Sequence, residues 1–274
     1  MVDSYTYTFS LKHLPKVPIN VSSIRPEDIA GKNINEIRNM QILYGSRKIV
    51  IEEIFDVDGY SKAPRDADRI TIIFRGHGTR KLWYVGYMMS RGNIVVDGDV
   101  GPLTGYKMSG GSIVVKGNTG KWLGAEMSGG NIYVYGNGED FIGGRTFFSN
   151  GSGMSGGRII VYGSVGSYIG YGMRNGYIEI HGDAGDFIGM ENRGGTIVVK
   201  GSSGIYPGIE MVNGTIIVCR GVELIAPGFI ASNTNSIDIY NPCTNDNSTN
   251  SAVLIGDILI NGLGKIIIFY SEKS

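Results

Sequence analysis

Cysteine is scarce in this chain. Cys219 and Cys243 are the only two in 274 residues, too few for an iron–sulfur cluster or a cysteine-type zinc site. The three histidines, His13, His77 and His181, share no metal-ligand spacing. Net charge is missing too: 25 basic residues cancel 25 acidic ones. No basic tail or stripe exists to draw nucleic acid or an anionic membrane surface. No apolar run approaches the roughly eighteen residues of a membrane span. The opening Met1-Val2-Asp3-Ser4-Tyr5 has neither the charged nor the apolar region of a signal peptide. The expected chain is soluble and cytoplasmic, so the sequon Asn247-Ser248-Thr249 carries no weight. Proline is only 8 residues and no Gly-X-Y triplet recurs, so the 44 glycines mark neither collagen nor disorder.

What is present is a repeat. A Met-Ser-Gly-Gly-like motif starts at Met89, Met108, Met127, Met154, Met173, Asn192 and Met211. Every step is nineteen residues except the third, which is twenty-seven, one period plus an eight-residue insertion. A fixed period of this size describes stacked supersecondary units. Five residues after each start stands isoleucine, from Ile94 to Ile216 without exception. Two positions later come Val96, Val115, Val134, Val161, Ile180, Val199 and Val218. β-Branched residues at alternate positions over a short span read as strands. The fold class predicted is all-β, a right-handed parallel β-helix of about seven coils with degenerate capping coils. Ile and Val fill its bore, with the Met column and Thr104, Leu123, Ile142, Ile169 and Ile188 as further inward stacks. Such a core is expected to be stable without a disulfide.

Glycine marks the corners. The position held by Gly110, Gly129, Gly156 and Gly194 is taken by Asn175 and Asn213 on two other rungs, and by Arg91 on the first. Glycine and asparagine accept a left-handed backbone most readily, so positive φ is expected in this column.

The flanks differ. Residues 1–66 are glycine-poor and read as an N-terminal capping segment, 67–240 as the β-helix, and 241–274 as a strand-containing cap. Tyr5, Tyr7, Phe9 and Leu11 alternate as in a strand, Pro26-Glu27-Asp28 opens a helix, and Lys48 to Phe55 reads as a further strand. Ile72, Phe74 and Gly76 anticipate Ile94, Val96 and Gly98 as a degenerate first coil. Ile237, Ile239 and the run Lys265 to Phe269 suggest strands beyond a polar loop, Asn241 to Ser251. Both flanks are expected to cover open sheet edges.

Catalytic signals are thin. Gly151-Ser152-Gly153-Met154-Ser155-Gly156 matches G-x-G-x-x-G, but Gly156 belongs to a repeat column and no helix is expected to follow. Glu191 and Glu210 share a column and suit either an acid–base pair or an ion-pair cluster with Arg174 and Arg193, the cluster being preferred. The stronger signal faces outward. Val95, Val114, Tyr133, Ile160, Glu179, Val198 and Ile217 lie between the inward columns, and six are apolar. A parallel sheet that is apolar on both faces is covered on both, here by the N-terminal segment or by a partner. Leu103, Trp122, Phe141, Tyr168, Phe187 and Tyr206 form a second outward column, readable as a self-stacking ladder. The insertion Gly144 to Gly153, with Arg145, Phe147 and Phe148, is a third candidate contact. The candidate interface is therefore Val95, Val114, Tyr133, Ile160, Val198, Ile217, Arg145, Phe147 and Phe148.

The stretch Met108-Ser109-Gly110-Gly111-Ser112-Ile113-Val114-Val115-Lys116-Gly117-Asn118-Thr119-Gly120 resembles the GXGXG repeat of the glutamate synthase C-terminal domain and of the formylmethanofuran dehydrogenase C subunit. The resemblance covers about residues 69 to 221. A chain of 274 residues with a short leading segment and no amidotransferase or flavin domain is similar to the latter. So are the Tyr5 to Lys12 opening and the Ala252 to Asp257 stretch. The resemblance implies a non-catalytic assembly subunit of an archaeal oxidoreductase complex, which reduces carbon dioxide with methanofuran to formylmethanofuran in methanogenesis. It implies no cofactor in this chain, the tungsten or molybdenum pterin, iron–sulfur clusters and binuclear metal site belonging to other subunits. Those subunits are the implied partners, with no nucleic acid or membrane. Two alternatives stand beside it: the corresponding subunit of a bacterial-type formyltransferase/hydrolase complex, and a free-standing β-helix carbohydrate-active enzyme using Glu191 and Glu210.

Overall fold

A computed structural model of the chain describes residues 4–232, 242–243 and 250–270. The alternating Ile and Val positions lie on strands Asn93–Asp97, Ser112–Val115, Asn131–Val134, Ser155–Val161, Asn175–Ile180, Arg193–Val199 and Asn213–Val218. These run parallel and in register, Ile94 beside Ile113, Ile113 beside Ile132, and so on to Ile216. They form the middle of a 13-stranded sheet. The rest of each repeat bonds across the same spacing. Val100 bridges Thr119 and Thr119 bridges Gly138, while the Gly124 amide donates to the Thr104 carbonyl at 2.7 Å. Each nineteen-residue unit is thus bonded to the one before and the one after, and the described fold is nearly all-β with a few short helices.

The reason is burial. The Ile, Val and Met columns, together with Leu123, Ile142, Ile169 and Ile188, are fully buried in one continuous core. Each such side chain stabilises by roughly 1.5–3 kcal/mol, and the repeat supplies several per unit. Asn192 stands in the Met column, also buried, and its amide nitrogen has no partner.

The left-handed corner lies one residue beyond the expected column. Positive φ belongs to Gly92, Gly111, Gly130, Gly157, Gly176, Gly195 and Gly214, not to Gly110, Gly129, Gly156 or Gly194. Gly129 is small for another reason: a Cβ there would overlap the Ser109 carbonyl oxygen of the preceding unit. On the two asparagine rungs the side chain accepts the next amide, Asn175 from Gly176 and Asn213 from Gly214, both at 2.8 Å. The backbone opens to make room. Gly176 and Gly214 have φ of 104° and 101°, against 85° at Gly130.

Both ends are closed by sequence outside the repeat. At the N-terminal end Ile70–Arg75 pairs with Asn93–Asp97, with Ile72 beside Ile94 and Phe74 beside Val96. Tyr5–Leu11 adds in parallel and Phe55–Asp58 antiparallel. Phe9, Phe55 and Phe74 meet at 5.5–6.1 Å between rings. The strand expected from Lys48 to Phe55 is split. Arg47–Val50 is a strand, but Ile51–Ile54 is a helical turn. Glu53 accepts the Val50 amide at 3.0 Å, and the turn carries Ile51 and Ile54 into the core. The N-terminal strand therefore continues the stack edge to edge, rather than lying over the outward Val95 column.

At the C-terminal end Gly264–Tyr270 adds in parallel, Ile266 beside Ile216, followed by antiparallel Asn250–Gly256 and Ile230–Ala231. Cys219 and Cys243 form a disulfide, contrary to the expectation that the core stands without one. It ties position 243 back to the end of the last repeat strand. Ile237, Ile239, the sequon at Asn247 and most of the polar loop Asn241 to Ser251 lie outside the described residues.

Candidate interaction surface

The outward column of the main sheet changes character along the stack. Val95, Val114 and Tyr133 are half-buried, while Ile160, Val198 and Ile217 are buried. Val198 and Ile217 pack with Val253, Ile267, Phe269 and Cys243, so at this end the chain's own C-terminal residues provide the cover. The lone acid of the column, Glu179, takes a hydrogen bond from the Tyr177 hydroxyl at 2.9 Å. Arg158, His181 and Lys200 lie 3.4, 3.1 and 3.8 Å from its carboxylate. Burial works to raise its pKa. The Tyr177 hydrogen bond and the nearby Lys200, His181 and Arg158 outweigh this and hold it below the usual carboxylate range. Lys200 also donates to the Pro242 carbonyl, next to the disulfide.

One column further out, Tyr135 and Tyr162 stack at 5.0 Å with planes 9° apart, and His181 sits 4.7 Å from Tyr162. Both tyrosines are exposed. This stack is not among the residues expected at an interface, although the position two after the Val95 column carries its signal.

The second outward column is a ring ladder. Trp122 on Phe141, Phe141 on Tyr168 and Tyr168 on Phe187 stack at 5.5, 4.9 and 5.1 Å. Its backbone is unusual. Tyr84, Leu103, Trp122, Phe141, Tyr168, Phe187 and Tyr206 all have positive φ, between 53° and 63°. For bulky residues this costs about 1–3 kcal/mol each. Stacked pairs return about 0.5–1.5 kcal/mol. Unit-to-unit bonds hold the turn, such as Trp122 N–H to the Asp140 carbonyl and Phe141 N–H to the Ser167 carbonyl, each at 3.0 Å.

The insertion lies over this ladder. Phe147 meets Phe141 at 5.0 Å and Trp122 at 6.2 Å; Phe148 meets Trp122 and Tyr106, both at 6.1 Å. The two remain 67% and 60% exposed. Two glutamates of one column clamp the loop. Glu126, its side chain only 6% exposed, accepts from the Thr146 amide at 3.1 Å and from the Thr146 and Ser149 hydroxyls at 2.6 and 2.5 Å. Burial pushes its pKa up, but the Ser149 and Thr146 hydrogen bonds and Lys107 outweigh it and hold the carboxyl low. On the far side Arg145 bonds Glu191 at 3.0 Å, lies over the Tyr171 ring at 4.5 Å and donates to the Tyr171 hydroxyl, which itself bonds Glu191 at 3.1 Å. The ion-pair partner of Glu191 is therefore Arg145 from the insertion, not Arg174 or Arg193. Arg145 stands one period after Glu126 and passes Gly172, where a Cβ would lie 3.4 Å from its Cδ.

Elsewhere a cleft of about 470 Å³ opens between Trp83 and Trp122, walled by Leu14, Pro18 and Pro102. Of its cations Arg80, Lys81 and Lys121, Arg80 is paired with Glu139 at 3.0 Å and Lys121 with Asp140 at 2.8 Å. Gly151 to Gly156 runs into strand Ser155–Val161, so no helix N-terminus faces it. Among the described residues no three His, Cys, Asp or Glu side chains are grouped to hold a metal ion, and no helix is long and apolar enough to cross a membrane.

The chain is similar to known proteins over part of its sequence and most of its fold. The C subunit of tungsten-containing formylmethanofuran dehydrogenase 2 from Methanothermobacter marburgensis is 38% identical over 92 residues, 32% of this chain and 32% of that protein. Over that stretch the chain is homologous to the formylmethanofuran dehydrogenase C subunit. The C subunit of molybdenum-containing formylmethanofuran dehydrogenase 1 from Methanothermobacter thermautotrophicus is 38% identical over 86 residues, 31% of this chain and 20% of the relative. The match thus spans about a third or less of the length of these curated relatives. The structural likeness reaches further. A chain in the crystal structure of the formyltransferase/hydrolase complex (FhcABCD) from Methylorubrum extorquens with methylofuran superposes with a TM-score of 0.85 at 25% identity, covering 96% of this chain and all of that one. No family model matches the chain.

Proposed function

We propose that this chain is the non-catalytic assembly subunit of a formylmethanofuran dehydrogenase-type complex, the assembly that reduces carbon dioxide onto methanofuran. The carrying observation is an outward surface made of a half-buried apolar column and two phenylalanines of the insertion, which Glu126 and Glu191 clamp. In this reading the stack is a right-handed β-helix over residues 67–240, with 1–66 and 241–274 as caps. It presents Val95, Val114, Tyr133, Arg145, Phe147 and Phe148 to other subunits; Ile160 is buried, and Val198 and Ile217, also expected there, are covered by the chain's own C-terminal residues. The tungsten or molybdenum in the relatives' names is assigned to those subunits, since the described residues offer no grouped donor set. A cytoplasmic location goes with this assignment.

A non-redox formyltransferase/hydrolase assembly is the second reading, supported by the near-complete superposition on a chain from that complex. A carbohydrate-active enzyme is disfavoured, because Glu191 is committed to Arg145 and Tyr171. Val95→Lys with Val114→Lys, both at half-buried positions, tests the assembly reading. The variant should fold with unchanged β-sheet circular dichroism and lose co-purification with the other subunits of its native complex. Normal assembly of that variant would remove the outward column from the interface.

A further inference from the structure

The two ends of the stack present different chemistry to solvent. At the N-terminal end the large sheet finishes on Phe55–Asp58, whose exposed residues are Asp56 and Asp58. The small sheet beside it finishes on Arg47–Val50, with Arg47 and Lys48 exposed. Charge on an edge strand discourages pairing with another chain. At the C-terminal end the large sheet finishes on Ile230–Ala231, both exposed, and the other side of the stack on Val222–Leu224. Among the described residues, Val222–Leu224 pairs on one side only, with Ser203–Ile205.

This end is also apolar. Val212, Leu224, Ile230, Ile258, Leu259 and Leu263 are between 43% and 75% exposed. Backbone bonds tie Leu263 to Val212 directly, and Ile258 and Leu224 to the neighbouring segments. Leu263 donates to Val212 at 2.9 Å, Ile258 to Gly228 at 2.9 Å, and the Leu224 carbonyl accepts from Tyr206 at 2.7 Å. Six large apolar side chains exposed at one end exceed the singly scattered apolar residues of an ordinary surface.

We propose that the C-terminal end of the stack is a two-fold interface with a second copy of this chain. The chemistry of the ends selects the arrangement. Head-to-tail stacking would set exposed charges against exposed leucines, whereas end-to-end contact joins like with like and closes at two copies. The charges at the open strand are self-complementary. Arg220 and Glu223 are exposed, of opposite sign and three residues apart. Antiparallel pairing of two such edges brings Arg220 of each copy beside Glu223 of the other. The proposal stands independently of the assembly role, because it needs only this chain.

Native mass spectrometry and sedimentation of the full chain, purified alone at tens of micromolar, should show twice the chain mass. Leu259→Glu with Leu263→Glu should convert it to a monomer, at least tenfold weaker in self-association, with its β-sheet circular dichroism retained. Arg220→Glu should weaken the dimer and Arg220→Glu with Glu223→Arg should restore it. Phe148→Ser, at the insertion, should leave it intact. If the double glutamate variant does not fold, hydrogen exchange on the wild type decides: amides of 222–224 should lose protection on dilution. A wild-type monomer overturns the proposal, as does a dimer that survives the double substitution in folded form. Protection of this end only when other subunits are present would give the surface to them and overturn it equally.

Discussion

The N-terminal cap and the C-terminal cap solve one problem with different materials. A stack of identical units leaves a row of unpaired amides and an open core at each end. The N-terminal end uses aromatic volume: Phe9, Phe55 and Phe74 converge, and charged residues line its outer strands. The C-terminal end uses covalent and ionic ties, the Cys219–Cys243 bond and the Lys200 bridge between Glu179 and Pro242. One end is closed by packing and left charged. The other is closed by added strands that the disulfide and the Lys200 contacts tie down, and is left largely apolar. A repeat therefore specifies a middle, and the ends record what the protein must avoid or meet there.

Four perturbations separate the two designs. The largest effect should come from Phe9→Ala, which empties the centre of the aromatic triad and should cost about 3–5 kcal/mol in urea unfolding. A loss below about 1 kcal/mol would mean that the N-terminal end is not closed by packing. Next, Cys243→Ser should cost about 3 kcal/mol, the chain-entropy value for a bridge of this separation. The same loss should appear on reducing the wild type, and Phe9→Ala should be additive with it because the sites lie at opposite ends.

A mid-stack control follows. Gly129→Val should cost at least about 1–3 kcal/mol, through overlap with the Ser109 carbonyl rather than a forbidden φ. Gly129→Ala should then be nearly as damaging, since the Cβ alone makes the overlap; a tolerated alanine would refute the close approach.

The smallest effect concerns pH and the insertion. Glu126 has its folded pKa depressed below the usual carboxylate range, so its contribution is fully present above the unfolded value and is lost as pH falls through the folded one. Hydrogen exchange at 146–149 should rise on acidification below the ordinary carboxylate pKa, while both caps keep their protection. Glu126→Gln should remove that pH dependence.

Much of the middle was legible. Unbroken Ile and Val columns announced the parallel strands, because one register satisfies every rung at once. The rest needed space. The left-handed corner was misplaced by one residue because glycine answers both a positive φ and a close approach, and sequence does not separate the two at Gly110 and Gly111. The αL aromatics gave no composition signal at all. In the candidate surface, the exposed phenylalanines were readable as a break in the repeat. The clamp was not: Glu126 and Glu191 lie 65 positions apart in sequence (191 minus 126), and only stacking brings both to one loop.

The chain's periodicity by itself determined how many units stack, which residues face the core and which columns look outward, because each follows from a local period and the solubility of side chains. Tertiary structure alone decided how the stack ends, that Cys219 finds Cys243, and which glutamate Arg145 meets. Those depend on non-repeating segments folding back over distances the period does not encode. Their free energy exists only once the stacked units beneath them are in place.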